Sequence, residues 1–310
     1  MITIMKSGKQ GIQTVRDIKP GCWVHLIDPD AEEIEQVGRE AGVPAEKITS
    51  ALDIHELPRV ERDKSRLMVI LRVAHLIDQP DDLPYTAMPL GVIVSGRVVV
   101  SVCKYPTAII NRMIGHPVHG FDTARPNRFI LALLMAMAVD YLNALQDINE
   151  AVDRLEDRLQ KSQHNREVLA LLQYQKSLTH FTTALRSNRL MLERLEKASL
   201  FDHDSAETEL LEDVLTEMDQ ALAMTEISSG ILSQMMDAFA SIINNNLNMV
   251  MKFMTALTMV LSLPMLVASI YGMNVDLPLA KAEYAFEMVI GFSGLAALIT
   301  LVIFWRRGWL

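Results

Sequence analysis

Cysteine is nearly missing from this sequence, with Cys22 and Cys103 the only two in 310 residues. They lack CxxC spacing, which excludes a disulfide framework, and two small buried thiols in a reducing compartment are the simplest reading. Massed positive charge is missing as well. With 29 Lys and Arg against 38 Asp and Glu the formal charge is −9, which argues against a nucleic-acid partner because phosphate recognition needs clustered cations. An acidic excess suits a protein that collects cations. No Walker loop, GxGxxG or nucleophile motif stands out, so nucleotide-driven pumping has no support. Met1 to Asp17 has neither the apolar core of a signal peptide nor the acid-poor, Arg- and Ser-rich character of a transit peptide. A cytoplasmic N-terminus in a bacterium or archaeon is therefore expected.

What is present is apolar sequence, 50% of the chain, enough for a core and membrane spans together. Residues 1–125 read as an α/β domain. Cys22 to Ile27 has the pattern of a strand, and Asp30 can cap a helix from Ala31 to Ala41 that stops at Gly42. Leu67 to Ala74 and Gly91 to Val94 are β-branched runs, with Ser95-Gly96 a hairpin turn into Arg97 to Cys103. His116 and His119 invite a metal assignment, but Pro117 intervenes and a third ligand is lacking, which favours a surface loop.

After Pro126, Gly and Pro are almost absent until Gly230 and apolar residues recur at helical spacing. Residues 126–204 are expected to form an antiparallel hairpin, Asn127 to Ser162 and Asn165 to Lys197, with polar breaks at Ser162-Gln163-His164 and Phe201-Asp202-His203-Asp204. Residues 205–271 then form a stalk helix capped by Ser205, with Glu207, Glu209 and Glu212 where negative charge suits the helix dipole. Some 65 residues would run to roughly 100 Å. Leu211, Leu215, Met218, Leu222, Leu232, Met236, Phe239 and Ile243 share one side, a face that must pack on other helices. Two shorter helices broken near Ser228-Ser229-Gly230 are the alternative.

Phe253 to Ile270 and Met288 to Trp305 are uncharged stretches long enough to cross a bilayer core of roughly 30 Å. Residues 272–287 would be the extracytoplasmic loop and 288–310 the second span with a basic tail. Lys252 and Arg306-Arg307 flank the spans, whereas the loop carries Asp276, Lys281, Glu283 and Glu287, so both termini are expected in the cytoplasm. Trp305, Trp309 and Tyr284 stand where interfacial aromatics are expected. Neither span contains a carboxylate or histidine, which disfavours an intramembrane enzyme.

Two spans cannot enclose a watery path, so transport would require several copies around an axis. Asn248, Thr255, Ser262 and Ser269 recur every seven residues along one stripe of the first span, with Met251, Met254, Thr258 and Met265 at nearby angles. Helix-to-helix packing through small hydroxyl residues would produce the same stripe. Asn244, Asn245, Asn246 and Asn248 sharpen the polar reading, because Asn is a mediocre helix former, although surface solvation at a membrane boundary would also use them. Magnesium holds its water shell tightly, so neutral oxygens that accept from those waters suit it. Zinc favours His and Cys, and neither occurs from Asn244 onward.

Lys252, Pro264, Tyr271-Gly272-Met273-Asn274, a short acidic loop, a second span and the ending WRRGWL together resemble the CorA family of magnesium and cobalt transporters. The resemblance covers the whole chain and implies a CorA-like funnel: an α+β cytoplasmic domain, long antiparallel and stalk helices, then two C-terminal transmembrane helices. It implies a homopentamer in the cell membrane whose first span lines a pore. Gly272, Met273 and Asn274 would form the selectivity filter, Asn248 the inner end, and Met251, Thr255, Thr258, Ser262, Met265 and Ser269 the lining. Asp276, Glu283 and Glu287 would make an outer acidic loop. Mg2+ would be both cargo and regulator, intracellular ion bridging neighbouring subunits through Asp213 and Glu217 with Asp53 and Glu56 as partners. Around Pro264 the spacing departs from the family's by one residue, leaving the pairing of 262–266 open. A zinc or transition-metal transporter of ZntB type, and a non-conducting membrane-anchored sensor or scaffold, are the rival readings.

Overall fold

The structure is a computed structural model that describes residues 1–8, 11–63, 66–77, 84–115, 121–161, 165–197, 205–275 and 283–309. His116, His119, Asp276, Lys281 and both expected interhelical breaks lie outside the described residues. The chain divides into two compact units, Met1–Gln234 and Met235–Leu310.

The first unit is built on a seven-stranded open sheet. Its strands are β1 (Ile2–Gly8), β2 (Gly11–Thr14), β3 (Cys22–Ile27), β4 (Arg59–Asp63), β5 (Arg66–Leu76), β6 (Tyr85–Ser95) and β7 (Val98–Cys103), in the order β2-β1-β3-β7-β6-β5-β4. Only β3 and β7 pair in parallel; the other neighbours are antiparallel. Buried strands with β-branched runs need cover on both faces, and here they have it. On one face lie α1 (Ala31–Ala41) and α2 (Ala45–Ser50), where Val37, Ala41 and Ile48 meet Val24, Leu26, Met68, Ile70, Ile93 and Val100. On the other face, α3 (Ala108–Gly115) packs on α4 (Pro126–Lys161), and α4 and α5 (Asn165–Lys197) cover the alternate residues of the same strands. Trp23, fully buried, meets the Phe129 ring of α4 at 5.1 Å.

Local chemistry sets the boundaries. Asp30 accepts from the Glu33 backbone while the Glu33 side chain accepts from the Asp30 backbone, a reciprocal cap, and Gly42 ends α1 with φ 67°. Gly91 is required for a different reason: a Cβ there would lie 2.4 Å from the Ala51 Cβ, so β6 and the end of α2 approach too closely for any side chain. Ahead of the first residue of β4, which pairs with Ile70, Asn188 of α5 replaces a strand. Its Oδ1 accepts from the Arg72 N–H at 2.9 Å and its Nδ2 donates to the Arg72 carbonyl at 2.7 Å, satisfying a backbone pair that β4 is too short to reach.

Among the described residues, three helices are long and apolar enough to cross a membrane: α4, α6 (Ser205–Tyr271) and α7 (Ala285–Arg306). Burial separates them. The apolar window of α4 is 72% buried inside the protein, whereas those of α6 and α7 are 6% and 0% buried. α4 is therefore core of the α/β unit. The other two expose an apolar surface that water would not tolerate, and these are the membrane spans. α6 is a single helix of 67 residues that runs uninterrupted through Ser228-Ser229-Gly230.

Candidate metal-ion pathway

In the first unit α6 is held by a narrow seam. Leu211, Val214, Met218, Ala221, Thr225, Ser228 and Leu232 are buried at alternating steps of three and four, the period of helices that pack nearly side by side. Leu215 and Leu222, expected on this face, are only half-buried, because the seam is rotated toward Val214, Ala221, Thr225 and Ser228. Two arginines of α5 clamp the outside of the seam: Arg189 meets Asp219 at 2.6 Å and Arg186 meets Glu226 at 2.7 Å. Nothing in the sequence pattern marked those pairings, which depend on how α5 lies against α6.

These ion pairs sort the acidic residues of α6. Glu207 is buried near Arg128, at 3.9 Å, and Asp219 and Glu226 face the α5 arginines. Glu209, Glu212 and Asp213 are exposed, and Glu217 is half-buried. Of the residues expected to partner them, Asp53 is exposed and accepts from the His55 N–H at 2.9 Å, while the Glu56 carboxylate is engaged by Arg59. Among the described residues of one chain, no three His, Cys, Asp or Glu side chains come together as a metal site.

The span of α6 has a different chemistry. From Asn248 to Ser269 the candidate lining residues Asn248, Met251, Thr255, Thr258, Ser262, Met265 and Ser269 are all exposed, and at 100° per residue they occupy an arc of roughly 100° on the helix. Thr258 Oγ1 donates to the Met254 carbonyl at 2.8 Å and Ser262 Oγ to the Met259 carbonyl at 3.1 Å. Each hydroxyl proton is thereby turned into the helix. What these side chains present outward is oxygen lone pairs, the half of a hydroxyl that a cation's water protons can use.

At Tyr271 the helix ends and the motif begins. The Gly272 N–H donates to the Ala268 carbonyl at 2.9 Å and the Met273 N–H to the Ile270 carbonyl at 3.2 Å. A Cβ on Gly272 would stand 3.3 Å from the Ala268 carbonyl oxygen, so the glycine permits a tight exit from the last turn. Met273 and Asn274 are exposed just beyond it. No basic side chain occupies the last turn of α6, where the helix dipole places a partial negative charge of about half an elementary charge. Glu283 and Glu287 are exposed at the start of α7, where Glu287 lies in the first turn. At the far end of α7 the Trp309 N–H reaches the Phe304 carbonyl at 3.0 Å and the two rings stack at 5.2 Å, leaving Arg306 and Arg307 exposed.

Two exposed apolar helices, each long enough to cross a bilayer, define an integral membrane protein. Comparison with known proteins makes this specific. Residues 19–307 match the family described as CorA-like Mg2+ transporter protein, and the chain belongs to that family. It is 26% identical over 299 residues to the cobalt/magnesium transport protein CorA of Methanocaldococcus jannaschii, covering 93% of this chain and 91% of that protein. The complete structure of the CorA magnesium transporter from the same organism superposes with a TM-score of 0.85 at 24% identity over 100% of this chain and 99% of that one. The ZntB cytoplasmic domain from Vibrio parahaemolyticus shares the fold at a TM-score of 0.61 and 12% identity, covering 78% of this chain and 98% of that domain. The chain is thus a CorA-family divalent-cation transporter of the membrane.

Proposed function

We propose that this protein admits magnesium, and with it cobalt, passively through a homo-oligomeric channel, a pentamer, whose pore is lined by the first span. The observation that carries the reading is the neutral oxygen face of α6, with the Thr258 and Ser262 hydroxyl protons turned inward, leading to a last helical turn that holds no basic side chain. A lining of that kind exchanges hydrogen bonds with a hydrated ion without stripping its shell. Gly272, Met273 and Asn274 form the filter at the extracytoplasmic mouth, with Asn274 presenting its amide oxygen. Asn248 stands at the inner end. Both termini are cytoplasmic, so the membrane potential drives entry, worth about 2.3 kcal/mol per charge per 100 mV.

Intracellular magnesium closes the pore in this reading by bridging Asp213 and Glu217 of one subunit to Asp53 of the next. The exposure of Asp213 and Asp53 fits a site completed between copies. Glu56, already engaged by Arg59, is the weaker ligand. The fold is shared with a ZntB domain, so zinc transport is the reading to test against.

Flux into proteoliposomes loaded with ion-specific dyes separates them. Magnesium entry independent of a proton gradient, reduced at least tenfold in Asn274→Ala, is the expected result. Zinc uptake that needs protons would refute the magnesium channel, and absence of flux for every divalent ion would refute conduction altogether.

A further inference from the structure

The second unit contains a cleft of about 560 Å3 between the last turn of α6 and the first two turns of α7. Val267, Ala285 and Val289 are its half-buried floor, and Ile270, Met288 and Phe292 its exposed rim. Among the lining residues only Tyr271 carries a polar side-chain atom. Such walls offer nothing to an ion or a polar solute, which would lose its hydration there without compensation.

Position and size narrow what fills it. At 100° per residue, Val267, Ile270 and Tyr271 lie roughly 130° around α6 from the arc that holds Asn248, Thr255, Ser262 and Ser269. A ring of copies that turns this arc to its axis sets the neighbouring first spans on either side of the arc, so the cleft opens away from the axis, toward lipid; this step rests on the proposed channel. A further span does not fit. The cleft follows α7 from Ala285 to Phe292, about 10 Å, and two turns of a helix 10–12 Å across occupy roughly 850–1,200 Å3, well above the volume available. A hydrocarbon chain is narrower, flexible and as apolar as the walls. Tyr271 and the exposed Tyr284 stand at the ends of the two spans, where aromatic rings sit at the headgroup level. A chain lying below them leaves its polar head in the interface.

We propose that this cleft is a binding site for an acyl chain of a membrane phospholipid, held between α6 and α7 on the lipid side of the pathway. Two glycines of α7 supply a matched test. A Cβ added at either Gly291 or Gly294 would meet open space, so each accepts a side chain without a clash. Gly291 lines the cleft, whereas Gly294 lies on the opposite side of α7 from Ala285, Val289 and Phe292.

Full-length protein, stripped of lipid by washing in detergent, is titrated with dioleoylphosphatidylcholine and followed by native mass spectrometry. The lipid should add in a saturable step of one per chain, oleoyl-lysophosphatidylcholine should compete for the same step, and glycerophosphocholine, the head group without chains, should not bind. Gly291→Leu and Val289→Phe should each weaken the lipid at least tenfold while Gly294→Leu leaves it unchanged. If Val289→Phe fails to assemble, Gly291→Leu carries the comparison. A benzophenone attached at Phe292→Cys should capture lipid in membranes; capture of a second chain instead would show that a neighbouring copy fills the cleft. Binding indifferent to both cleft variants, or weakened equally by Gly294→Leu, would assign the lipid to the general surface and overturn the site. Glycerophosphocholine binding as tight as the diacyl lipid would overturn recognition of the chain. Binding is read by mass and conduction by flux, so the failure of this site and the failure of the proposed channel are told apart.

Discussion

Replacing Asn188 by alanine should destabilise the α/β unit by about 3–5 kcal/mol. Asn188 is fully buried, and its amide is the partner of both backbone groups of Arg72. Removing it leaves the two groups in different positions. The Arg72 carbonyl keeps a donor, because Tyr141 Oη also reaches it at 3.0 Å, so that loss is one ordinary hydrogen bond, about 1 kcal/mol. The Arg72 N–H is left without an acceptor in the interior, which costs roughly 1–3 kcal/mol, and the vacated amide volume adds about 1 kcal/mol. Thermal unfolding of the purified protein, followed through Trp23 fluorescence, should show a midpoint lower by roughly 10 °C for a unit of this size. Asn188→Asp is the sharper variant. Its carboxylate still accepts from the Arg72 N–H but confronts the Arg72 carbonyl, so it should be as damaging as alanine at neutral pH and recover on acidification, when the protonated acid can donate. A midpoint within about 2 °C of the parent for Asn188→Ala would show that the strand-replacing role is wrong.

Gly91→Val should destabilise by at least about 2 kcal/mol, since even its Cβ would stand 2.4 Å from Ala51 Cβ and neither β6 nor α2 can withdraw without opening the core; an unchanged unfolding midpoint would refute the close approach. His25 is buried beside Ser101 and burial lowers its pKa to about 4. Its folded pKa lies below the unfolded value of 6.5, so the unfolded state takes up the proton first: stability is flat above that value and falls by about 1.4 kcal/mol per pH unit as pH drops toward 4. His25→Gln should remove this slope from a pH series of unfolding midpoints, and a persistent slope would assign it to other groups. Under the proposed gating, Asp213→Ala should raise the intracellular magnesium needed for closure severalfold in patch or flux recordings; unchanged closure would remove Asp213 from the sensor.

The legible part of the fold was the part governed by local rules. Asp30, Glu33 and Gly42 bound α1 through their own side chains and backbone, and the helix observed runs over Ala31–Ala41 as read. The Ser95-Gly96 turn and Asn165–Lys197 follow from the same kind of signal. β1, β2 and β4 gave no such signal, because Ile2–Gly8 and Arg59–Asp63 mix polar and apolar residues, lie at or near sheet edges and acquire strand structure from their neighbours. The short helices α2 and α3 were invisible for a related reason: six and eight residues are too few to establish a period. The same contrast decides α6. The predicted stripe named Leu215 and Leu222 because large residues dominate a pattern, whereas the seam buries Ala221, Thr225 and Ser228, whose small or polar side chains carry little weight in a hydrophobic period.

At the candidate pathway the division falls between composition and orientation. That the first span carries oxygen without charge is a matter of which residues are there, and sequence suffices for it. That the Thr258 and Ser262 protons point back into the helix requires coordinates, and it changes what those two positions offer. A hydroxyl free to rotate serves anion and cation equally, as donor or acceptor. One committed to the i−4 or i−3 carbonyl is an acceptor only, as at Thr258 and Ser262. Under the proposed channel, these acceptors and a last turn of α6 that holds no basic side chain would bias the face toward ions whose water shells present protons outward. Substituting Thr258 by valine preserves shape and removes the acceptor, so under the proposed channel it should lower magnesium flux severalfold while leaving expression and unfolding unchanged. Flux equal to the parent's would mean that the hydroxyl stripe packs helices and that the ion passes elsewhere.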